Sequence, residues 1–570
     1  MLVLLIIVFL LGSCSLAVSL PKKVDQTYEQ CNTLIDGQIL FAPMYSTKTY
    51  LIDNNGTVNH IWGSNYFPGE AVRWLGNGII LRTIKTGIPG YGGAGGGVQM
   101  VYSDGTVVWD FRYDTNENLS HHDILPLPNG NVLMLAWDFK TRNEAIEAGR
   151  NPDFFWDTFA SEHIVEVKPT GPTSGEIVWE WYVWDHLIQD YDSSKENYGI
   201  VEDHPELIDI NCGNAATLPD WLHANSIDYN EEFDQILISI CYFNEIWVID
   251  HSTTTAEAAS HTGGNSGKGG DLLYRWGNPQ AYKKGTFSDQ KLFGQHDATW
   301  IEEGCPGEGN ILIFNNGLNR PNGMYSSIDE IVPPVNENGE YFLEPGSAYG
   351  PESTTWSYTS TPPTSFYSAS FSGAQRLIDG DTLICDGEAG KFFEVTPDKQ
   401  IVWQYVNSYP SYLLNDVFKI EYIPAGEPPG PGIPDLDCIG SLSWTDVHPG
   451  ETVNCSFQVQ NIGGPGSLLD WKINTSLIDW GTWSFYPISG ENLTIEDGKI
   501  TVQVSVIAPN VSNTEFVGFI RVENQNDPED FGLIPVYLKT PVKIPSILTL
   551  IYQFILKFKN LHSEKIYNLS

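Results

Sequence analysis

The chain has 570 residues, with 71 Asp and Glu against 30 Lys and Arg and a formal net charge of −41. Charged residues make up only 18% of it, so base is scarce as well as acid abundant. This excludes a nucleic-acid surface, which needs clustered Lys and Arg, and makes an anionic lipid surface repulsive.

Residues 2–11 form an unbroken apolar run, too short to span a bilayer, with small residues after it. The run reads as a secretory signal within 1–19. Two processing sites fit: Leu11-Gly12-Ser13-Cys14, a lipobox that would lipidate Cys14, and the small residues Ala17-Val18-Ser19. The expected location is extracellular or at the cell surface, lipid-anchored if Cys14 is used. Seven Asn-x-Ser/Thr sequons, at Asn55, Asn118, Asn454, Asn474, Asn492, Asn510 and Asn568, accord with export. Eight Cys without a CxxC pair exclude a zinc ribbon. Cys438 and Cys455 are close enough to staple neighbouring strands. For Cys31, Cys212, Cys241, Cys305 and Cys385 pairing is open, and a small buried apolar role is the plain reading.

From residue 25 a unit of a tight turn and a strand recurs, ending in tryptophan. Asn54-Asn55-Gly56-Thr57-Val58 leads to Trp62, Asp104-Gly105-Thr106-Val107-Val108 to Trp109 and Ser174-Gly175-Glu176-Ile177-Val178 to Trp179. Trp276, Trp356 and Trp403 close three more. A second unit places a turn before an apolar strand, as in Asn129-Gly130-Asn131-Val132-Leu133 and Gly309-Asn310-Ile311-Leu312-Ile313. Together they give antiparallel meanders, six in all, and predict an all-β six-bladed β-propeller over residues 25–425. Uneven tryptophan spacing predicts insertions at 138–163, 183–220 and 251–271. Loops on one face of such a fold build its site.

Glu427-Pro428-Pro429-Gly430-Pro431-Gly432 marks a stiff linker, 426–432. Alternating strands near 441–444, 452–459, 500–506 and 518–522 predict an immunoglobulin-like β-sandwich over 433–541. The tail, 542–570, carries an apolar stretch at 544–556 followed by Lys557 and Lys559, which suits an interfacial helix, a docking segment or a disordered end equally. Short acidic stretches such as Asp190-Tyr191-Asp192 leave calcium open, although no EF-hand pattern is present.

Three histidine segments each precede an apolar strand: Ser120-His121-His122-Asp123, Asp220-Trp221-Leu222-His223-Ala224-Asn225 and Gly294-Gln295-His296-Asp297. A lone His in such a place ordinarily bonds backbone. Three at matching places in successive blades would converge on the axis. No carboxylate lies at a fixed helical or hairpin spacing from them, so no metal is expected there. Asp123 and Asp297 directly follow a His, in position to orient it, although adjacent side chains in a strand point to opposite faces.

The segments His223-Ala224-Asn225-Ser226-Ile227 and Gly294-Gln295-His296-Asp297-Ala298 resemble those of aryl-sulfate sulfotransferases. So do Arg275-Trp276-Gly277-Asn278-Pro279, Asn315-Asn316-Gly317-Leu318-Asn319-Arg320 and Ser372-Gly373-Ala374-Gln375-Arg376-Leu377. The resemblance runs over roughly residues 40–420. It implies a six-bladed propeller and sulfuryl transfer from a small phenolic sulfate ester to a phenolic acceptor, with no nucleotide sulfate donor and no cofactor. It implies His296 as nucleophile through a transient N-sulfohistidine, with His122 and His223 holding sulfuryl oxygens and moving the phenol proton. Asn225 would donate a neutral hydrogen bond, Arg320 would clamp the anion, and Ser372 would orient the nucleophile.

One position departs. In the family an Arg commonly follows the His-x-Asn motif, in the next strand, and here Cys241 stands in its place. A thiol does not neutralise a sulfate. A propeller that binds sulfated or aromatic ligands with little or no turnover is the alternative expectation. A metal-dependent hydrolase, with a divalent ion on the histidines, is the third.

Overall fold

The computed structural model describes residues 37–541 apart from 77, 155, 214–217, 425–433, 435, 464–466, 496 and 527–529. The expected signal segment 1–19 with Cys14, Cys31, the linker 426–432 and the tail 542–570 lie outside these residues. No helix among the described residues is long and apolar enough to cross a membrane.

The chain is all-β. Residues 37–424 form six four-stranded antiparallel sheets in succession. The first strands of the six sheets are Val417–Pro424, Val72–Trp74, Asn118–Pro126, Ala224–Asn230, His296–Trp300 and Gly373–Arg376. Each of these contacts the next, and the last returns to the first. The first sheet is completed by the last strand of this region. Val417–Pro424 pairs with Gly37–Pro43, Leu40 opposite Glu421, so the two ends of this region meet where the ring closes.

The recurring tryptophans occupy the fourth strand of every sheet: Val58–Trp62, Val107–Arg112, Ser174–Tyr182, Tyr274–Trp276, Trp356–Tyr358 and Ile401–Val406. Five of the six rings are buried and that of Trp356 is half-buried, and each indole N–H donates to the following sheet. Trp62 bonds the Gly78 carbonyl, Trp109 Ser174, Trp179 the Thr253 hydroxyl, Trp276 Pro351, Trp356 Pro397, and Trp403 Asn54, back on the first sheet. A buried indole N–H without an acceptor costs about 1–3 kcal/mol. The repeat thus both fills the core and links each sheet to its neighbour.

The expected insertion at 138–163 is shorter than predicted. Long strands Val132–Thr141 and Thr158–Gly171 occupy its ends, joined across a capped helix, Arg142–Glu147. Within 183–220, Leu187–Ile188 pairs in parallel with Ile208–Asp209, and 251–271 holds the short helix Thr255–Ala258.

Between residues 436 and 539, one four-stranded and one five-stranded sheet share an apolar core that includes Val459, Trp471, Val502, Ile520 and Val536. The expected Cys438–Cys455 staple is absent, and both thiols are free. Strands Leu436–Ile439 and Thr452–Asn461 place Cys438 opposite Val459, four residues along from Cys455. Cys212, Cys241 and Cys385 are free and buried, and Cys305 is free and half-buried.

Candidate active site

Strand register shifts at the start of three successive inner strands: between Ser120 and Ile124, Ala224 and Ser226, and His296 and Thr299. Such bulges re-aim a side chain. His122, His223 and Asp297 there have left-handed φ values of 50°, 55° and 48°. Each costs of order 1 kcal/mol and persists only where the surroundings hold it. The outcome is a buried histidine cluster. The rings of His122 and His223 lie edge to face with centroids 4.6 Å apart. His296 is close enough for its charge to weigh on His122, and for that of His223 to weigh on it.

The tautomer of His296 follows from its neighbours. Its Nδ1 is 2.9 Å from Oδ1 of Asn316 and 3.2 Å from the Gly294 carbonyl. The Asn316 amide nitrogen donates to the carbonyls of Ser368 and Phe371, so its oxygen is the atom turned to His296. Both neighbours of Nδ1 are acceptors, hence Nδ1 carries the hydrogen and Nε2 the lone pair. Burial lowers the His296 pKa to about 4, so the ring is neutral at physiological pH.

His223 is the opposite case. Its Nδ1 lies 2.5 Å from Oδ2 of Asp220. Burial alone would push its pKa down, but the Asp220 carboxylate outweighs burial and raises it above the usual histidine value. Its ring stacks on Tyr242, centroids 4.7 Å apart.

His122 is held well below the usual value by burial and by His223, His121 and His296. Its Nδ1 meets Nδ1 of His121 at 2.8 Å, and Nε2 of His121 meets Oε2 of Glu162 at 2.9 Å. Burial, with Asp220 adding to it, pushes Glu162 well above the carboxylate range. The other Glu162 oxygen accepts from the Ala224 N–H. With Glu162 protonated, it donates to His121, His121 donates to His122, and Nε2–H of His122 is left to donate into the site, so that this relay carries no charge.

A backbone loop covers the cluster. A Cβ on Gly93 would fall 2.1 Å from Cε1 of His122, and one on Gly92 3.6 Å from Cε1 of His223. Only glycine, at φ 83°, lets residue 93 approach that ring.

Several sequence expectations land elsewhere. Arg320 lines a different cavity, of about 420 Å³, with Trp276, Phe293 and Tyr325, and none of the cluster histidines lines it. Its guanidinium packs over Tyr325 at 4.3 Å and donates to Ser327. The Ser372 hydroxyl donates to Ser368 and accepts from the Gly387 N–H, so Asn316 is the residue that orients His296. Asn225 donates to the carbonyl of Gln295, tying its strand to the one that carries His296, while its buried oxygen has no partner among the described residues. Asp123 and Asp297 turn away from the histidines: Nζ of Lys419 lies 2.6 Å from Asp123 and 3.2 Å from Asp297. Arg73 also pairs with Asp123, at 3.2 Å. Alternation along the strand sends these carboxylates to the opposite face. Asp190 of the acidic stretch pairs with Lys283.

His121, Glu162, Asp220, Asn316 and the glycine loop also belong to the site, although none of them carries a role expected from the sequence. The run Gly90-Tyr91-Gly92-Gly93-Ala94-Gly95-Gly96-Gly97 was the available signal for a close backbone approach.

Residues 21–412 match the family model described as Arylsulfotransferase (ASST). No curated protein matches the chain. Among solved structures, a protein of unknown function from Bacteroides caccae is 12% identical, covers 68% of this chain and 99% of its own, and has a TM-score of 0.37. A virginiamycin B lyase from Staphylococcus aureus is 10% identical over 66% of this chain and 87% of its own, with a TM-score of 0.31. AztD from Citrobacter koseri is 8% identical over 68% and 98%, also at 0.31.

Proposed function

The chain belongs to the arylsulfotransferase family, and from that premise we propose that it moves a sulfuryl group from a phenolic sulfate ester to a phenolic acceptor through a sulfohistidine at His296. The observation that carries this reading is the fixed tautomer of His296, whose Nδ1–H is committed to Asn316. Its Nε2 lone pair, on a buried neutral ring, is the nucleophile.

In the first half-reaction Nε2 of His296 forms a bond to sulfur as the sulfur–aryl oxygen bond breaks. The leaving phenolate takes a proton from Nε2–H of His223, charged by its pairing with Asp220. The Nε2–H of His122 donates to a sulfuryl oxygen; a preorganised donor of this kind is worth roughly 100-fold in rate. In the second half-reaction neutral His223 takes the acceptor's phenolic proton, the phenol oxygen bonds sulfur, and the sulfur–nitrogen bond breaks. His296 and charged His223 are restored. Tyr242, stacked on His223, offers an aromatic wall for the phenol.

The test is mass analysis after exposure to aryl sulfates. One added sulfuryl group mapped to His296, absent in His296→Ala, is expected. A folded wild-type chain that takes no adduct from several donors, and transfers nothing, would remove the nucleophile.

The same reading takes residues 25–425 as a six-bladed propeller and 433–541 as an immunoglobulin-like sandwich. Six four-stranded sheets closed by Val417–Pro424 support the first, and the two sheets around one apolar core the second. Export to the cell surface is supported by the apolar run at 2–11 and the sequons.

A further inference from the structure

We propose that His186, His261 and Asp271 form a binding site for one divalent transition-metal ion of the zinc type, separate from the histidine cluster and independent of sulfuryl transfer. Nδ1 of His186 lies 2.8 Å from Oδ1 of Asp271, and Nδ1 of His261 lies 2.7 Å from the same oxygen. The three donor atoms fall within 4.8 Å of one another.

The tautomer of His186 points to a cation. Its Nε2 is 2.8 Å from the carbonyl oxygen of Ala258. A carbonyl only accepts, so Nε2 carries the hydrogen. In the neutral ring the Nδ1 lone pair then faces a carboxylate oxygen, two acceptors head-on. A cation shared by the two atoms, a proton or a metal ion, resolves this, and both atoms are competent metal ligands. An imidazole whose far nitrogen donates to a backbone carbonyl is also the arrangement that metal-binding histidines adopt. Two imidazoles and a carboxylate, with the fourth position open, suit zinc and its first-row neighbours.

The surroundings hold the geometry. The indole of Trp181 stacks on His186 with centroids 5.7 Å apart and planes 10° from parallel. The Trp181 N–H donates to the carbonyl of Gly270, at 2.8 Å. A Cβ on Gly270 would fall 2.0 Å from the Ala258 carbonyl oxygen and 2.6 Å from Nε2 of His186, so residue 270 has room only for glycine. His186 and Asp271 are buried, whereas the His261 side chain is 60% exposed. Donors of a tetrahedral zinc site stand about 3.3 Å apart. Binding therefore asks for an opening of about half an ångström, and His261, on the surface, is the ligand free to swing. His261 also lines a cavity of about 400 Å³ with Trp184, Asp185, Tyr198 and His204. Bound there, the ion would pin segment 255–271 onto the turn Val183–His186.

The full chain, freed of any purification tag and treated with chelator, is titrated with Zn²⁺ by calorimetry. One equivalent is expected to bind, with at least tenfold weaker binding in His261→Ala and unchanged binding in His296→Ala. Co²⁺ in place of zinc should give the visible absorption of a four-coordinate site. No saturable binding to the wild-type chain overturns the proposal. So does binding that survives His261→Ala, or that disappears in His296→Ala, since the ion would then sit elsewhere.

Discussion

Asn316 holds the Nδ1–H of His296 through its amide oxygen, and two backbone carbonyls, those of Ser368 and Phe371, hold the Asn316 amide in turn. Reversing or removing that amide frees the imidazole to carry its hydrogen on Nε2, the wrong atom. Asn316→Ala is expected to lower kcat by roughly 100-fold or more, the scale on which a lost orienting partner costs rate. The KM for the donor should change little and the sulfuryl adduct on His296 should form at a correspondingly reduced rate, while stability should fall by about 1–3 kcal/mol because the carbonyls that held the amide lose a buried donor.

The pH dependence of kcat/KM follows from two opposite shifts. Protonated His296 has no lone pair, so activity falls as pH drops through about 4. His223 must be charged, so activity falls as pH rises through its pKa, which stands above the usual 6.5. The expected profile is a bell with its alkaline limb above 6.5. Asp220→Asn removes the carboxylate that raises His223 and should draw that limb down by about one pH unit or more. A profile with no acid limb would contradict the His296 assignment, and one with no alkaline limb the His223 assignment.

Glu162 separates a neutral relay from a charged one. If its carboxyl is protonated and donates to His121, Glu162→Gln keeps both hydrogen bonds, because an amide also donates from one atom and accepts with the other. Activity within a few-fold of wild type is expected. Glu162→Ala breaks the chain and should cost roughly 100-fold, read as initial rates at saturating donor.

Cys241 is buried beside the segment that carries His223. Its backbone N–H donates to the carbonyl of His223, and burial, with Asp220 adding to it, pushes the thiol up to about 12, so the side chain is neutral. Cys241→Arg sets a guanidinium beside Asp220. Donor KM should fall about tenfold, the alkaline limb should move down as His223 loses part of its carboxylate, and overpacking should cost about 1–3 kcal/mol of stability. Steady-state kinetics against pH, with thermal unfolding alongside, reads all three.

Lys419 neutralises Asp123 and Asp297, and all three side chains are nearly inaccessible to solvent. Lys419→Met leaves both carboxylates without it and is expected to destabilise the fold by about 3–5 kcal/mol. Adding Asp297→Asn should recover part of that loss in denaturant unfolding, since the two positions are directly coupled.

The repeat was readable because its signature is local. A turn, a strand and a tryptophan lie within about ten residues, and each expected tryptophan falls on a fourth strand. The closing strand Val417–Pro424 was not readable as such, because its partner Gly37–Pro43 lies at the far end of the same region. The same distinction divides the site. His122, His223 and His296 stand out in their own segments. Their partners Glu162 and Asn316 come from other strands and loops, and no spacing in the sequence ties them to a histidine. Arg320 has the right chemistry for an anion, but the turn after Asn315 carries it to another cavity. Asp123 and Asp297 show the cost of reading adjacency as contact, since a strand turns neighbours to opposite faces.

The seam of the ring has a second consequence. The strand that closes it, Val417–Pro424, also carries Phe418, whose ring centroid is 5.9 Å from that of His122, and Lys419, bonded to the strands that bear His122 and His296. Unzipping this one latch opens the first sheet, withdraws the wall beside His122 and strips the counter-charge from two strands at the axis. The circle cannot come undone at its join while the chemistry stays armed.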